Sequence, residues 1–195
     1  MNQQLTPNRQ RLVRLFEAIT PWDEVERTHL STAVDWVRSD APIYRTRPPD
    51  VPVMHLVSYF VACYEDCQEL LLVAHRKSGL WLPSGGHVEP DEDPWDTVLR
   101  ECVEELHVPA RPSAISGDRP LFITATQTVG QGPHTDVSLW YVIRADRERV
   151  VSYDDGEFSG IRWVTLADLL DEPIEGLDPQ MHRFTHKLLG ALTAS

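Results

Sequence analysis

Carboxylates crowd one short stretch of this chain. Glu101, Glu104 and Glu105 follow Arg100 in the run Arg100-Glu101-Cys102-Val103-Glu104-Glu105, with Gly85-Gly86 and Glu92 shortly before them. Asp93 is a good helix cap, Pro94 suits the first helical position, Asp96 sits where a capping-box acid would, and Pro109 ends the helix. The three glutamates therefore share one helix. At 100° per residue, Trp95, Val98, Leu99, Cys102, Val103 and Leu106 converge on its apolar face. Glu101 and Glu105 then stack one turn apart on the flank of that stripe, and Glu104 points further out. A solvated acidic face explains the pattern badly. Glutamates at spacings of three and four repel by about 0.2–0.5 kcal/mol per pair, and acids near a helix C-terminus oppose the macrodipole. A bound cation removes both objections. Oxygen ligands with retained waters suit Mg²⁺ or Mn²⁺, which also bridge to substrate phosphates. Gly85-Gly86 lets the backbone approach such an ion and offers a carbonyl to it.

Two other constellations can carry chemistry. His75-Arg76-Lys77 ends a strand just before the turn that feeds the glycines, so Arg76 and Lys77 either meet substrate phosphates or are solvated beside a hairpin turn. His134-Thr135-Asp136 precedes a strand, where His134 and Asp136 either line a substrate pocket or mark a loop edge. Trp81, Trp140 and Trp163 read as core residues. Cys63 and Cys67 lack a matching His or Cys pair downstream, which argues against a cysteine zinc site and for free thiols in a reducing cytoplasm.

The elements that must position these groups fall into two textures. Asn8 is the expected cap of a first helix carrying Leu12, Leu15, Phe16 and Ile19. Thr20-Pro21-Trp22-Asp23 opens a second, with Val25, Leu30, Val34 and Val37. Residues 1–41 thus form a helical extension, whose apolar faces cover part of the core or join two subunits in a homodimer. Residues 42–52, with Pro42, Pro48, Pro49 and Pro52, form a linker. From residue 53 onward Val53–Cys63, Glu69–His75, Leu80–Leu82, Pro120–Val129, Asp136–Arg144 and Gly160–Val164 read as strands. The loop Gly130-Gln131-Gly132-Pro133 joins the fourth and fifth of these. Thr165–Leu170 and Asp178–Leu192 close the chain as helices. Strands and helices mix without a regular βαβ rhythm, which disfavours a doubly wound sheet.

The chain has 195 residues, enough for one domain of roughly 150 residues plus an extension. Its formal net charge of −12 repels DNA and RNA backbones, so a long nucleic acid is a poor partner and a small anionic substrate needs a metal or a local basic patch. The N-terminus lacks the apolar run of a signal peptide, and no stretch approaches a membrane span. A cytoplasmic protein with no membrane contact is the expectation.

The acidic stretch resembles the signature box of the Nudix hydrolases: Gly, five residues, Glu, seven residues, Arg-Glu, an apolar residue, any residue, Glu-Glu, any residue, Gly and an apolar residue. Gly86, Glu92, Arg100, Glu101, Glu104, Glu105 and Val108 fall on it, with Cys102 at the first apolar position. His107 stands where the family has glycine, a position that serves a left-handed turn and that His tolerates. The resemblance implies an α/β/α sandwich with a mixed β-sheet over the core from about Val53 to Val164. It implies a Mg²⁺-dependent, or Mn²⁺-dependent, hydrolase that cleaves a diphosphate bond in a nucleoside diphosphate linked to another moiety. Glu101 and Glu105 would be the main metal ligands, the Gly85 carbonyl a further one, and Glu104 a ligand or water-mediated partner. Arg100 would orient the carboxylates, and Glu92 would steady the loop–helix junction. A further glutamate from a late loop often serves as ligand or base; here it is Glu157, with Asp154 and Asp155 as the next choices. Two alternatives remain: a non-catalytic nucleotide-binding or regulatory module on the same fold, and an enzyme like isopentenyl diphosphate isomerase, which would need a cysteine in its pocket.

Overall fold

The computed structural model describes residues 5–47, 51–64, 66, 68–128 and 134–194. Cys67, Pro48, Pro49 and the loop Gly130-Gln131-Gly132-Pro133 lie outside the described residues. Seven strands form one mixed sheet. They are β1 (Met54–Tyr64), β2 (Glu69–His75), β3 (Trp81–Leu82), β4 (Ser84–His87), β5 (Pro120–Gln127), β6 (Thr135–Arg144) and β7 (Phe158–Thr165). Five helices accompany them: α1 (Pro7–Glu17), α2 (Glu24–Arg38), α3 (Pro94–Leu106), α4 (Leu166–Asp171) and α5 (Met181–Ala194). The central β1 runs parallel to β6 along its length, and its other edge pairs antiparallel with β4 along its middle and with β2 at its end. β5 closes one side against β6, while β2 carries β3 and β7 on the other.

The central strands are apolar on both faces because both faces are covered. Leu56 and Phe60 of β1, Leu71 and Val73 of β2, and Val137, Leu139 and Tyr141 of β6 pack under α1, α2 and α3. The alternate residues Val61, Cys63, Leu70, Leu72, Trp140 and Val142 pack under α4 and α5. This is the α/β/α sandwich with a mixed sheet.

Several elements depart from the sequence reading. Thr6, not Asn8, caps α1, its hydroxyl accepting from the Arg9 amide at 3.4 Å. Asp23, not Thr20, caps α2: its carboxylate takes the Glu26 amide at 2.8 Å, leaving Pro21 outside the helix. The buried face of α3 is turned towards Thr97 and Glu105, which leaves Leu99 and Val103 exposed. Asp178 precedes α5 and instead caps a turn through the Gln180 amide. Gly85 and Gly86, which no expected strand included, lie in strand β4, hidden because glycine has little strand propensity. It needs Gly85 there: a Cβ at that residue would stand 2.2 Å from the Ser58 carbonyl oxygen.

The segment before β1 is docked rather than loose. Arg9 donates to the carbonyls of Val37, Ser39 and Ala41, satisfying the end of α2. Ile43 is buried, and its carbonyl accepts from the Leu56 amide at 2.9 Å.

Candidate active site

Helix α3 and strand β4 bring the box residues together. Asp93 caps α3 by accepting the Trp95 amide at 3.0 Å, and His107 ends it in the left-handed conformation at φ 56°. Between these ends Glu101 and Glu105 face β4. Glu105 is 4% exposed; its Oε2 accepts from the Ser84 hydroxyl and, at 3.0 Å, from the Gly85 amide. Burial pushes its carboxyl up to about 8, and the charges of Glu101 and Glu157 push the same way. The Glu101 carboxylate lies over the α-carbon of Gly86, where a Cβ would come within 1.9 Å of Oε1. A side chain at Gly86 would displace the Glu101 carboxylate from this place.

Arg100 gathers the remaining acids. Its guanidinium meets Glu101 Oε1 at 2.6 Å, Glu92 Oε1 at 3.1 Å and Glu104 Oε2 at 3.4 Å, and donates to the His87 carbonyl at 3.3 Å. Glu92 Oε2 also accepts from the Glu89 amide and the Thr97 hydroxyl, which ties the loop to the first turn of α3. Glu104 is exposed on the outer side.

Glu157 sits in a loop fastened to the same helix. The Asp154 amide donates to the Glu105 carbonyl at 2.8 Å, and His107 Nδ1 lies 3.0 Å from Ser152 Oγ. The charge of Glu157 raises the carboxyls of both Glu101 and Glu105. Arg76 is engaged with this loop: its amide donates to the Glu157 carbonyl and its Nε to the Asp155 carbonyl, each at 2.9 Å. Arg76 is therefore placed to position Glu157, and Lys77 remains exposed at the turn. His134 and Asp136 lie on the sheet face shared with His55 and His87.

Sequence reasoning missed Ser84, Tyr59 and Asp178. Burial raises the Tyr59 hydroxyl well above its usual range, and the charges of Asp178, Asp136 and Glu105 push the same way. Asp178 is pushed up to about 6, chiefly by burial and further by Asp136. These residues come from β4, β1 and the turn before α5, so no single spacing announces them.

A model of the NUDIX domain matches residues 54–188, more than half of the chain. The chain belongs to the Nudix family. It is a hydrolase of diphosphate bonds by that membership. Solved structures share the fold. A MutT Nudix hydrolase from Burkholderia pseudomallei is similar at 17% identity and TM-score 0.53, over 69% of this chain and 97% of that one. A Nudix-family hydrolase from Clostridium perfringens is similar at 21% identity and TM-score 0.51, over 71% of this chain and 96% of the other. The Caenorhabditis elegans Ap4A hydrolase, solved as a binary complex, is similar at 19% identity and TM-score 0.50, over 69% of this chain and 98% of that one. No curated protein matches the sequence. Among the described residues no helix is long and apolar enough to cross a membrane.

Proposed function

We propose that this Nudix protein hydrolyses the diphosphate of a small nucleoside diphosphate linked to another moiety, with Mg²⁺, or Mn²⁺ in its place, held by Glu101 and Glu105. The observation that carries this reading is Glu105. It is a buried carboxylate with two hydrogen bonds, its nearest acids raise it further, and Arg100 is spent on Glu92, Glu101 and Glu104. An all-oxygen group of this kind fits a hard divalent ion. Glu101, Glu104, Glu105 and the Gly85 carbonyl are the groups that would hold it. When bound, the ion neutralises the diphosphate and lowers the pKa of a water.

The chain's own residues set the geometry. Ser84 and the Gly85 amide both fix Oε2 of Glu105, so Oε1 is the oxygen left to serve as ligand. Arg100 fixes Glu101 and supports β4 through the His87 carbonyl. Glu157 is the candidate base, brought to the end of α3 by the Asp154–Glu105 and Arg76 contacts. Lys77, His134 and Asp136 are candidates for the substrate side, with Arg76 acting through the loop. The isomerase alternative lacks support from Cys63 and Cys102. Both are fully buried, and burial pushes the Cys102 thiol up to about 12. A net charge of −12 also favours a small substrate over a polymer, and the reduced thiol of Cys102 fits a cytoplasmic setting.

Nucleotide sugars, dinucleotides, ADP-ribose and nucleoside triphosphates, each offered with Mg²⁺ and with chelator, test this reading. Release of phosphate-containing products that ceases with chelator is expected for at least one class. Binding of a nucleotide with no turnover of any would favour the regulatory module. For the substrate found, Glu157→Gln is expected to lower kcat with KM nearly unchanged and to flatten the acidic limb of the pH profile. Recovery in excess Mg²⁺ would make Glu157 a ligand, and unchanged kinetics would remove it from the site.

A further inference from the structure

The hydrolase reading leaves His55 and His87 unused, and on their face of β1 and β4, opposite α3, its substrate-side candidates His134 and Asp136 stand where a different task is open to them. His55 of β1, His87 of β4 and Asp136 of β6 each offer one ligand atom, and these atoms all lie within 4.8 Å of one another. Register explains the meeting. His55 pairs with Asp136 across β1 and β6, and His87 pairs with Val57, two residues along β1 from His55. Alternation puts all of them on the face away from the one that Gly86 presents to Glu101. His134, two residues before Asp136, has its Nε2 3.7 Å from Asp136 Oδ1. The His87 and His134 rings flank that of His55, with centroids 4.7 and 5.1 Å away.

The protons point to what is missing. His55 Nδ1 lies 2.9 Å from the Pro52 carbonyl oxygen, which can only accept, so Nδ1 carries a proton. Its Nε2 then faces Asp136 Oδ1 at 2.9 Å, yet neither atom makes an aligned hydrogen bond. His87 Nε2 is also buried without a hydrogen-bond partner. His55 itself is fully buried. His87 Nε2 thus has no partner, while His55 Nε2 and Asp136 Oδ1 have only each other, so three buried heteroatoms around one point can take a shared partner. His134 Nδ1 is within 3.0 Å of the Thr128 hydroxyl, so it too is oriented from its far nitrogen, as metal-binding imidazoles are.

We propose that His55, His87 and Asp136, with His134 as the fourth ligand, bind a divalent transition-metal ion, zinc by best fit, at a site separate from the glutamates of α3. Imidazoles with one carboxylate suit Zn²⁺ and its neighbours and are a poor set for Mg²⁺. Arg45 is a cation whose field reaches His55 and His87, so the ion is held by direct nitrogen and oxygen bonds rather than by net charge. Its role is structural. It ties β1, β4 and β6 together one residue beyond Gly86, where the His87 carbonyl already supports Arg100. The competing arrangement is a metal-free ion pair between protonated His55 and Asp136.

Cobalt distinguishes these arrangements on the full chain, because four-coordinate, imidazole-rich Co²⁺ absorbs visible light strongly and six-coordinate Co²⁺ among carboxylates and waters absorbs weakly. The protein, stripped with chelator, is titrated with Co²⁺ and separately with Zn²⁺. One equivalent of strongly absorbing Co²⁺ is expected, displaced by Zn²⁺, together with a rise in Tm on adding Zn²⁺. The spectrum should persist in Glu101→Gln, and His87→Gln should lower the affinity by roughly tenfold or more. A weak spectrum that needs Glu101, or no Tm response to Zn²⁺ and no strong band, would overturn the proposal. The wild-type spectrum alone separates the two geometries, so a variant that fails to fold leaves the test decisive. Metal binding is the readout, so the outcome is independent of whether any diphosphate is hydrolysed.

Discussion

Glu105 shows how a single residue can be set against the stability of its own fold. Its carboxyl ordinarily titrates near 4.5 and is raised to about 8 in the folded, metal-free protein. The native state therefore binds the proton more tightly than the unfolded chain. The stability this contributes is present below the ordinary value and is lost as pH rises towards about 8. Glu105→Gln should accordingly raise the Tm of chelated protein at pH 8 and change it little at acid pH, as read by calorimetry. A lowered Tm at pH 8 would mean that the protein alone satisfies the carboxylate. His107 presents a smaller conflict. Glycine there relieves a left-handed residue of about 1–2 kcal/mol but loses the contact with Ser152, a hydrogen bond of about 0.5–1.5 kcal/mol. His107→Gly should thus fall within about 1 kcal/mol of wild type in urea unfolding, given those opposing magnitudes. A large loss of activity with unchanged metal affinity would show a further role for His107. Both residues were legible in the sequence because the box is local: spacing along one helix and its flanking turns fixes them. His55, His87 and Asp136 were not legible as a group, since strand register brings them together from three separate segments.

Among the elements, β2 begins and ends where its apolar run does, and α3 starts at Pro94 as its cap and proline require. Strand β4 was invisible for the reason that makes it useful: two glycines weaken the strand signal and permit the close approach to Ser58 and Glu101. The start of α2 was misread because Pro21 looks like a first helical residue, whereas the carboxylate of Asp23 is the better cap. That choice has a tertiary cause. Asp23 also pairs with Arg183 of α5, the Nε lying 2.8 Å from Oδ2. One turn on, Glu26 is fully buried, meets Lys187 Nζ at 2.7 Å, and accepts from the amides of Trp22 and Ile123. Helix α2 is thereby clamped to α5 and to β5, which no pattern within α2 could announce. Lys187→Ala leaves a buried carboxylate without its cation and should destabilise the protein by about 3–5 kcal/mol in denaturant unfolding. Adding Glu26→Gln should recover part of that loss, and a loss confined to a few tenths of a kcal/mol would show that the backbone amides hold Glu26 unaided.

At the scale of the whole molecule, the sandwich sets two clusters of ionisable side chains back to back on one pair of strands. Glu101 and Glu105 of α3 meet Gly86, Gly85 and Ser84 on one face of β4, and the imidazoles meet beside His87 on the other. A chain of net charge −12 has little general attraction for a diphosphate, and the proposed function therefore ties catalysis to a local cation. The initial rate of diphosphate hydrolysis as a function of Mg²⁺ concentration, in wild type and in Glu105→Gln with its fold verified, tests that dependence most directly. Wild type should rise from no activity in chelator to saturation. Glu105→Gln should fall by roughly 100-fold or more at limiting Mg²⁺, since even outer partners of a metal ligand cost 10–100-fold. A Glu105→Gln protein that retains the full wild-type rate at limiting Mg²⁺, or wild-type hydrolysis that persists in chelator, would contradict the account.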